Sequence, residues 1–243
     1  GTLDQAISST DKVLVIRSKD GEAAVELEAT VDGTNWSFTD KDLVEGSSYS
    51  YKAVIVDAAG NRSSESNTHT IKIDTLAPTH TITIEKVVDD VEALTGDVNH
   101  QGFTNDKTPT LHGTLDKALE TGEKLMIIRT KDGVSEELEA TVTDTTWTLA
   151  DTVVDGSYSY TAKVVDAAGN EGGTSNTFEL NVDATAPDHI VVITEVSDDA
   201  EPNVGPIADN GSTNDTTPTI NGTLDKALVA GEKVVVIRTK GTE

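Results

Sequence analysis

The 243-residue sequence contains no cysteine, and it is poor in basic and aromatic residues. The lack of cysteine excludes disulfide bonds, thiolate metal sites and cysteine nucleophiles. It leaves the cellular compartment open, because secreted proteins without disulfides also exist. No uninterrupted apolar run reaches the length of about 18 residues that a membrane-spanning helix needs. The sequence therefore predicts no membrane segment.

Basic residues are scarce: 18 lysines and arginines face 43 acidic residues, which gives a net charge of -25. Nucleic-acid phosphates need a basic footprint, so this charge balance disfavours DNA or RNA as a partner. A surplus of carboxylates is compatible with cation binding, and also with a solvated surface that resists aggregation. The positions of the acids must decide between these two interpretations.

Motifs of catalysis are absent as well. The sequence has no Gly-x-Ser-x-Gly elbow, no phosphate-binding loop and no His-Glu-x-x-His pair. Paired carboxylates fall in predicted loops rather than in a predicted cleft, which disfavours a glycosidase. The histidines lack the spacing of zinc ligands; they are His69, His80, His100, His112 and His189. We therefore predict that the chain is not an enzyme.

What the sequence does contain is an internal repeat. The tetrapeptide GTLD begins at Gly1, Gly113 and Gly222, and the segment from Tyr49 to Pro78 returns 109 residues later as Tyr158 to Pro187. Both copies of that segment carry the pentapeptide DAAGN and end in Ala-Pro. A fixed period of this length indicates an array of similar domains.

The repeat predicts three domains. Residues 79–187 form one complete repeat, residues 1–78 form a partial repeat without its N-terminal strands, and residues 188–243 form a partial repeat without its C-terminal strands. The sequence opens on Gly1 with neither a methionine nor a signal sequence, which suggests an internal fragment of a longer chain.

Strand signals dominate the complete repeat. Apolar residues alternate with polar ones, and turn signals rich in glycine, aspartate and asparagine separate the runs. Seven short strands, A to G, are predicted, at 82–84, 109–115, 125–130, 138–142, 147–149, 158–164 and 178–182, with a long polar loop over 89–108 between A and B. This pattern indicates an all-β fold of tandem immunoglobulin-like antiparallel β-sandwich domains.

Aromatic and arginine positions support the sandwich. Tyr158 stands where such domains place a corner tyrosine, whose hydroxyl bonds nearby backbone. We expect Tyr160 and Trp147 in the core rather than on a sugar-stacking surface. The strand-C arginines Arg17, Arg129 and Arg238 are expected to be solvated charges at a strand end.

The sequence resembles the tandem bacterial immunoglobulin-like repeats of giant type I secreted adhesins and biofilm-associated proteins. The segments that carry the resemblance are DGSYSYTAKVVDAAGN (155–170), VDATAP (182–187) and TNDTTPTINGTLDKAL (213–228). The resemblance implies an extracellular stalk on the bacterial surface, with neighbouring repeats of the same chain as partners and Ca²⁺ stiffening the joints. It also implies host-cell or surface glycans as partners of a distal domain outside this sequence.

The sandwich topology predicts where carboxylates meet. The A–B loop and the end of strand G share the exit end of a repeat, whereas the F–G turn lies at the entry end and faces the preceding repeat. The predicted metal ligands at the first joint are Asp74, Asp166 and Asn170. Those at the second joint are Asp89, Asp90, Asp106 and Asp183, with Asp198, Asp199 and Asp215 as copies in the third repeat.

Several carboxylates at one joint repel each other unless a cation lies between them. Ca²⁺ suits such loops because it takes six to eight oxygen ligands in flexible geometry, whereas Mg²⁺ demands a tighter octahedron. The alternative is that these residues only build local structure: Asp-Ala-Ala-Gly-Asn is also a good hairpin turn, and an acidic loop can be merely solvated.

Three functional hypotheses follow. The first is a Ca²⁺-stiffened spacer of a long bacterial surface adhesin that supports cell adhesion or biofilm formation. The second is a module that binds a glycan or a receptor directly, and the third is an accessory module of a secreted enzyme. The tandem spacing and the acids at the domain ends favour the first.

Overall fold

The computed structural model describes residues 1–92 and 94–240, and every regular element in these residues is a β-strand. The chain divides into two compact units, one from Gly1 to Asp183 and one that begins at Ala184. The predicted all-β fold is confirmed. The last three residues of the third predicted repeat, 241–243, lie outside the described residues.

Within the first unit, the N-terminal repeat has a four-stranded sheet in the order β2-β1-β5-β6 and a separate β3-β4 hairpin. Val13, Val15 and Ala29 form its small buried core. The strands are β1 (Lys12–Lys19), β2 (Val25–Glu28), β3 (Thr30–Asp32), β4 (Asn35–Ser37), β5 (Ser48–Val56) and β6 (His69–Lys72).

The second repeat, in the same unit, contains eleven strands. They are β7 (Ile82–Asp89), β8 (Gly96–Val98), β9 (Gly102–Thr104), β10 (Thr110–Leu115), β11 (Lys124–Lys131), β12 (Val134–Glu139), β13 (Thr141–Thr143), β14 (Thr146–Ala150), β15 (Gly156–Val165), β16 (Glu171–Thr174) and β17 (Phe178–Val182).

Two sheets enclose the core of this repeat. Their orders are β13-β14-β10-β7-β8 and β12-β11-β15-β17-β9, and β16 pairs with β15. Alternate side chains of both sheets point inward, and Trp147, Tyr160, Phe178, Leu111 and Leu125 are the largest that are fully buried. Burial of each such side chain stabilises the fold by about 1.5–3 kcal/mol. The sandwich is therefore held by a continuous apolar core.

Two predicted elements differ in detail. Predicted strand D consists of two strands, because β12 pairs with β11 whereas β13 pairs with β14 of the other sheet. The inward-facing residues Leu138, Ala140 and Val142 alternate without a break from the end of β12 into β13, so the sequence period cannot show the change of sheet. The predicted A–B loop contains the short strands β8 and β9, and β9 pairs with β17 in parallel.

The corner tyrosine is confirmed. The Tyr158 hydroxyl donates to the Val154 carbonyl at 2.9 Å and accepts from the Val154 amide at 3.0 Å. Its counterpart in the first repeat, Tyr49, accepts from the Val44 amide at 3.0 Å. The hydroxyl closes the turn that leads into β15, or into β5 in the first repeat.

The second unit has a three-stranded sheet in the order β19-β18-β20. Its strands are β18 (Val191–Asp198), β19 (Gly205–Ile207) and β20 (Thr219–Leu224). β18 and β20 recur 109 residues after β7 and β10, respectively. Across the described residues, no helix is long and apolar enough to span a membrane.

Candidate functional site

The DAAGN segment forms a tight turn between β15 and β16. One Asp166 oxygen accepts from the amides of Ala168 at 2.8 Å and Asn170 at 2.9 Å, and the other accepts from Asn170 Nδ2 at 2.8 Å. These bonds, above all the one from the Asn170 side chain, lower the pKa of Asp166. Gly169 supplies the left-handed residue, at a φ of 90°. The predicted turn is therefore confirmed.

The same turn touches the segment that leads out of the preceding repeat. We call the segments that end in Ala-Pro, residues 75–78 and 184–187, the tethers. Asn170 Nδ2 also donates to the backbone oxygen of Asp74 at 3.0 Å. A Cβ atom on Gly172 would lie 2.6 Å from the Pro78 oxygen, so glycine lets the tether pass close to β16. The structure thus brings Asp74, Asp166 and Asn170 together, with Asp74 taking part through its main chain.

A second acidic cluster lies inside the second repeat, between the ends of β7 and β9. Asp89 and Asp106 are only 2% and 1% exposed. The Thr104 hydroxyl donates to Asp89 Oδ2 at 2.6 Å and accepts from the Asp106 amide at 3.0 Å. Thr108 donates its amide and its hydroxyl to Asp106 Oδ1 at 2.7 and 3.0 Å. One threonine therefore links two buried carboxylates.

The second oxygen of Asp106, Oδ2, is buried and has no hydrogen-bond partner. An ionised carboxylate in such surroundings is costly unless a cation or a proton compensates it. Asp183 lies beside this cluster, since its amide donates to the Thr104 carbonyl at 2.9 Å. Asp90 is exposed to solvent. Of the four ligands predicted for the second joint, Asp89 and Asp106 therefore lie together in a loop cluster of the second repeat.

The third repeat builds the same network. Thr213 donates to Asp198 Oδ2 at 2.5 Å and accepts from the Asp215 amide at 2.9 Å. Here the Asp199 amide reaches the second Asp215 oxygen at 3.3 Å. Amide donors, led by that of Thr217, lower the pKa of Asp215. The arrangement therefore recurs in the third repeat. It differs in one bond, since Asp215 Oδ2 accepts from an amide whereas Asp106 Oδ2 has no hydrogen-bond partner.

A Ca²⁺ ion would find two buried carboxylates and a hydroxyl in each cluster. In the described part of the chain, no group of three or more acidic or histidine side chains is arranged to hold a metal. Backbone carbonyls and water would have to complete the coordination, as Ca²⁺ allows. The unpartnered Asp106 oxygen fits a cation, whereas both Asp166 oxygens are occupied within their turn. The assignment of the ten predicted ligands stays a prediction.

Sequence reasoning missed a different network. Arg129 was expected to be solvated, and that prediction is wrong: its side chain is 18% exposed and its Nη1 lies 2.5 Å from Asp151. The Tyr160 hydroxyl donates to the other Asp151 oxygen at 2.9 Å. The first repeat has the same arrangement in Arg17, Asp40 and Tyr51. Asp40 and Asp151 occupy equivalent positions in the two repeats. This recurrence is the feature of the sequence that could have indicated the network.

The sandwich, the corner tyrosine and the repeated turns define a tandem array of immunoglobulin-like domains. The chain belongs to the bacterial Ig-like domain family, whose model matches residues 2–75 and 81–184. No curated protein matches the sequence.

The solved structures that are similar to parts of the chain include the following two. The fibronectin(III)-like modules of CbhA from Clostridium thermocellum share 16% identity at a TM-score of 0.40, over 72% of this chain and 80% of theirs. A tetra-tandem repeat in the extending region of a large adhesion protein shares 19% identity at a TM-score of 0.30. That match covers 90% of this chain and 56% of the other.

Proposed function

We propose that these repeats are non-catalytic spacer domains of a long bacterial surface adhesin, and that Ca²⁺ stiffens them. Support comes from family membership, from the fixed repeat spacing and from the position of buried acids where the chain leaves a repeat. The observation that carries the calcium part is the buried, unpartnered oxygen of Asp106. On this proposal the repeats act on the cell surface, in adhesion or biofilm formation.

The chemistry of the cluster suggests how an ion would act. A cation beside Asp106 would neutralise two buried carboxylates and fix the loop between β7 and β10. Asp183, the last residue before the tether, is hydrogen-bonded to that loop through Thr104. The loop therefore positions the start of the tether. An ion that immobilises the loop would also immobilise that end of the tether.

Calcium titration of the chelated protein tests the proposal. Extracellular calcium modules bind with a Kd of about 10⁻⁴–10⁻³ M. Binding to the folded state alone raises the free energy of unfolding by about 2.7 kcal/mol at 100 times Kd. We expect Ca²⁺ to raise the melting temperature, and Mg²⁺ at equal concentration to raise it less. An unchanged melting temperature in saturating calcium would reject the calcium part.

Asp106→Asn separates binding from folding. The variant keeps the shape of the side chain and removes the buried charge, so we expect the calcium-induced rise in melting temperature to disappear for the second repeat. Without calcium, its melting temperature should equal or exceed that of the wild type. A purely structural Asp106 would instead give a lower melting temperature in chelator.

Asp144→Asn is the matched control. Asp144 is an exposed residue of the β13–β14 turn at a φ of 53°, a conformation that asparagine also tolerates. The substitution removes the same charge from the same repeat. Its response to calcium should match that of the wild type.

A further inference from the structure

A buried histidine follows each Ala-Pro tether. His80 stands two residues after Pro78 and two residues before Ile82, the first residue of β7, and its side chain is 1% exposed. Its Nε2 lies 2.8 Å from Glu123 Oε2. Its Nδ1 lies 3.8 Å from Asp116 Oδ1 and has no hydrogen-bond partner. One imidazole is thus enclosed between two carboxylates, with its second nitrogen unsatisfied.

Both carboxylates are held in place by the backbone. The Glu120 amide donates to Glu123 Oε2 at 2.7 Å, and the Thr81 amide donates to Asp116 Oδ1 at 2.9 Å. The Asp116 amide returns a bond to the Thr81 carbonyl at 3.1 Å. The imidazole therefore meets two fixed acceptors rather than two mobile side chains.

The second unit repeats the arrangement around His189. Its Nε2 lies 2.8 Å from Glu232, and its Nδ1 lies 3.6 Å from Asp225 and is likewise buried without a partner. Asp225 accepts from the Ile190 amide at 2.9 Å, and Glu232 accepts from the Val229 amide at 2.9 Å. Recurrence of all three side chains and of their distances argues against chance.

The protonation state of the imidazole decides whether both nitrogens are satisfied. A neutral imidazole has one N–H, so when Nε2 donates to Glu123, the lone pair of Nδ1 faces the Asp116 carboxylate. An imidazolium has two N–H groups and can donate toward both acids. The charged groups around His80 are Asp116 and Glu123, with Glu120 on the adjoining loop ion-paired to Lys117. Lys226 is the nearby cation in the second unit.

We propose that His80 and His189 are pH-dependent latches. Each holds the first residues of its repeat against the segment that follows β10 or β20, respectively, and that carries the two carboxylates. Proton uptake closes the latch, because only the imidazolium bonds both carboxylates. Mild acid therefore strengthens the attachment of residues 79–81, and alkaline conditions weaken it. The tether of the first joint ends at this attachment, so the latch sets how freely the joint moves, independently of any cation at Asp106.

Hydrogen exchange of the Thr81 amide in the whole chain tests the latch, because that amide donates to Asp116. After correction for intrinsic exchange rates, we expect its protection in the wild type to increase roughly tenfold from pH 8 to pH 5.5, the worth of one charge-assisted hydrogen bond. His80→Gln should abolish that increase. The exposed His69→Gln, in the first repeat, should retain it.

The proposal is overturned if the wild type shows no such increase, or if His80→Gln retains it. Should His80→Gln fail to fold, His189→Gln provides the same comparison in the second unit, read at the Ile190 amide. The same two outcomes decide it there.

Discussion

Asp151 is a buried carboxylate that links two other side chains in the second repeat. It is buried and accepts from Arg129 and from the Tyr160 hydroxyl, so three side chains satisfy each other in the interior. Antibody domains place a disulfide at this level of the fold. In this cysteine-free chain the buried Tyr160 stands at the position of the strand-F cysteine, two residues after the corner tyrosine.

Asp151→Asn should therefore be strongly destabilising. Arg129 pairs with two carboxylates, the buried one of Asp151 and the exposed one of Glu136. The substitution removes the buried partner, and breaking a buried pair costs up to about 3–5 kcal/mol. Asp97→Asn is the control, since Asp97 forms an exposed pair with Lys86. Exposed pairs contribute about 0–1 kcal/mol. Urea denaturation measures both, and equal losses would contradict the assigned role of Asp151.

Tyrosine ionisation gives a pH prediction at the same site. Burial raises the pKa of Tyr160, and the Asp151 charge raises it further; the pKa of Tyr51 is raised to about 12 by burial and by Asp40. An unfolded tyrosine loses its proton near pH 10. The contribution of the two protonated tyrosines to the free energy of unfolding is thus fully present below about pH 10, and it is lost as pH rises through their pKa in the folded protein.

Tyr160→Phe removes one of these titrating groups. Between pH 10 and 11.5 the free energy of unfolding of the wild type should fall more steeply than that of the variant, by about 1.4 kcal/mol per pH unit at most. Identical slopes in urea denaturation would show that Tyr160 ionises in the folded protein as readily as in the unfolded one.

Among the strands, the GTLD tetrapeptide has a packing explanation. A Cβ atom on Gly113 would lie 2.1 Å from the Thr83 oxygen and 2.4 Å from the Trp147 ring, where β10 shifts register against β7. Gly1 meets Trp36 in the same way. Gly113 is required because the backbone of β7 and the Trp147 ring both lie directly over it.

Gly113→Ala should destabilise the second repeat by about 1–3 kcal/mol, the usual cost of overpacking. Gly173→Ala is the matched control, since a Cβ atom there meets nothing within 4 Å. Thermal unfolding compares the two variants. A Gly113→Ala protein as stable as the control would mean that the strands separate easily at this point.

The sequence predicted strands better than it predicted partners. Period-2 alternation located strands at all seven predicted positions of the second repeat, because half-buried sheets impose it. Alternation cannot show which sheet a strand joins, so the division between β12 and β13 was missed. The partner of Arg129 was missed for a related reason: Asp151 lies after β14, on the opposite sheet, and only the packing of the two sheets brings them together.

At the scale of the molecule, the first joint is held by polar contacts. Asn170 is the side chain that spans it, since its amide bonds both its own turn and the Asp74 carbonyl. Its counterpart Asn61 has the same bonds within its turn, including the one to Asp57 at 2.8 Å. A comparison of Asn170 with Asn61 therefore separates the effect of the joint contact from that of the turn.

Asn170→Asp should loosen the joint, because a carboxylate there repels Asp166 and cannot donate to Asp74. Asn61→Asp controls for damage to the turn alone. Pulsed electron-spin distances between labels at exposed Glu22 and Val134 measure the effect, and the cysteine-free chain simplifies labelling. We expect a broader distance distribution only for Asn170→Asp. Equal broadening in both variants would place the effect in the turn.

The most direct test of the central claim is small-angle scattering of the whole chain in calcium and in chelator. A calcium-stiffened spacer predicts a larger maximum dimension and a narrower range of conformations with calcium, and Asp106→Asn should reduce that difference. Superimposable scattering profiles under the two conditions would contradict the account.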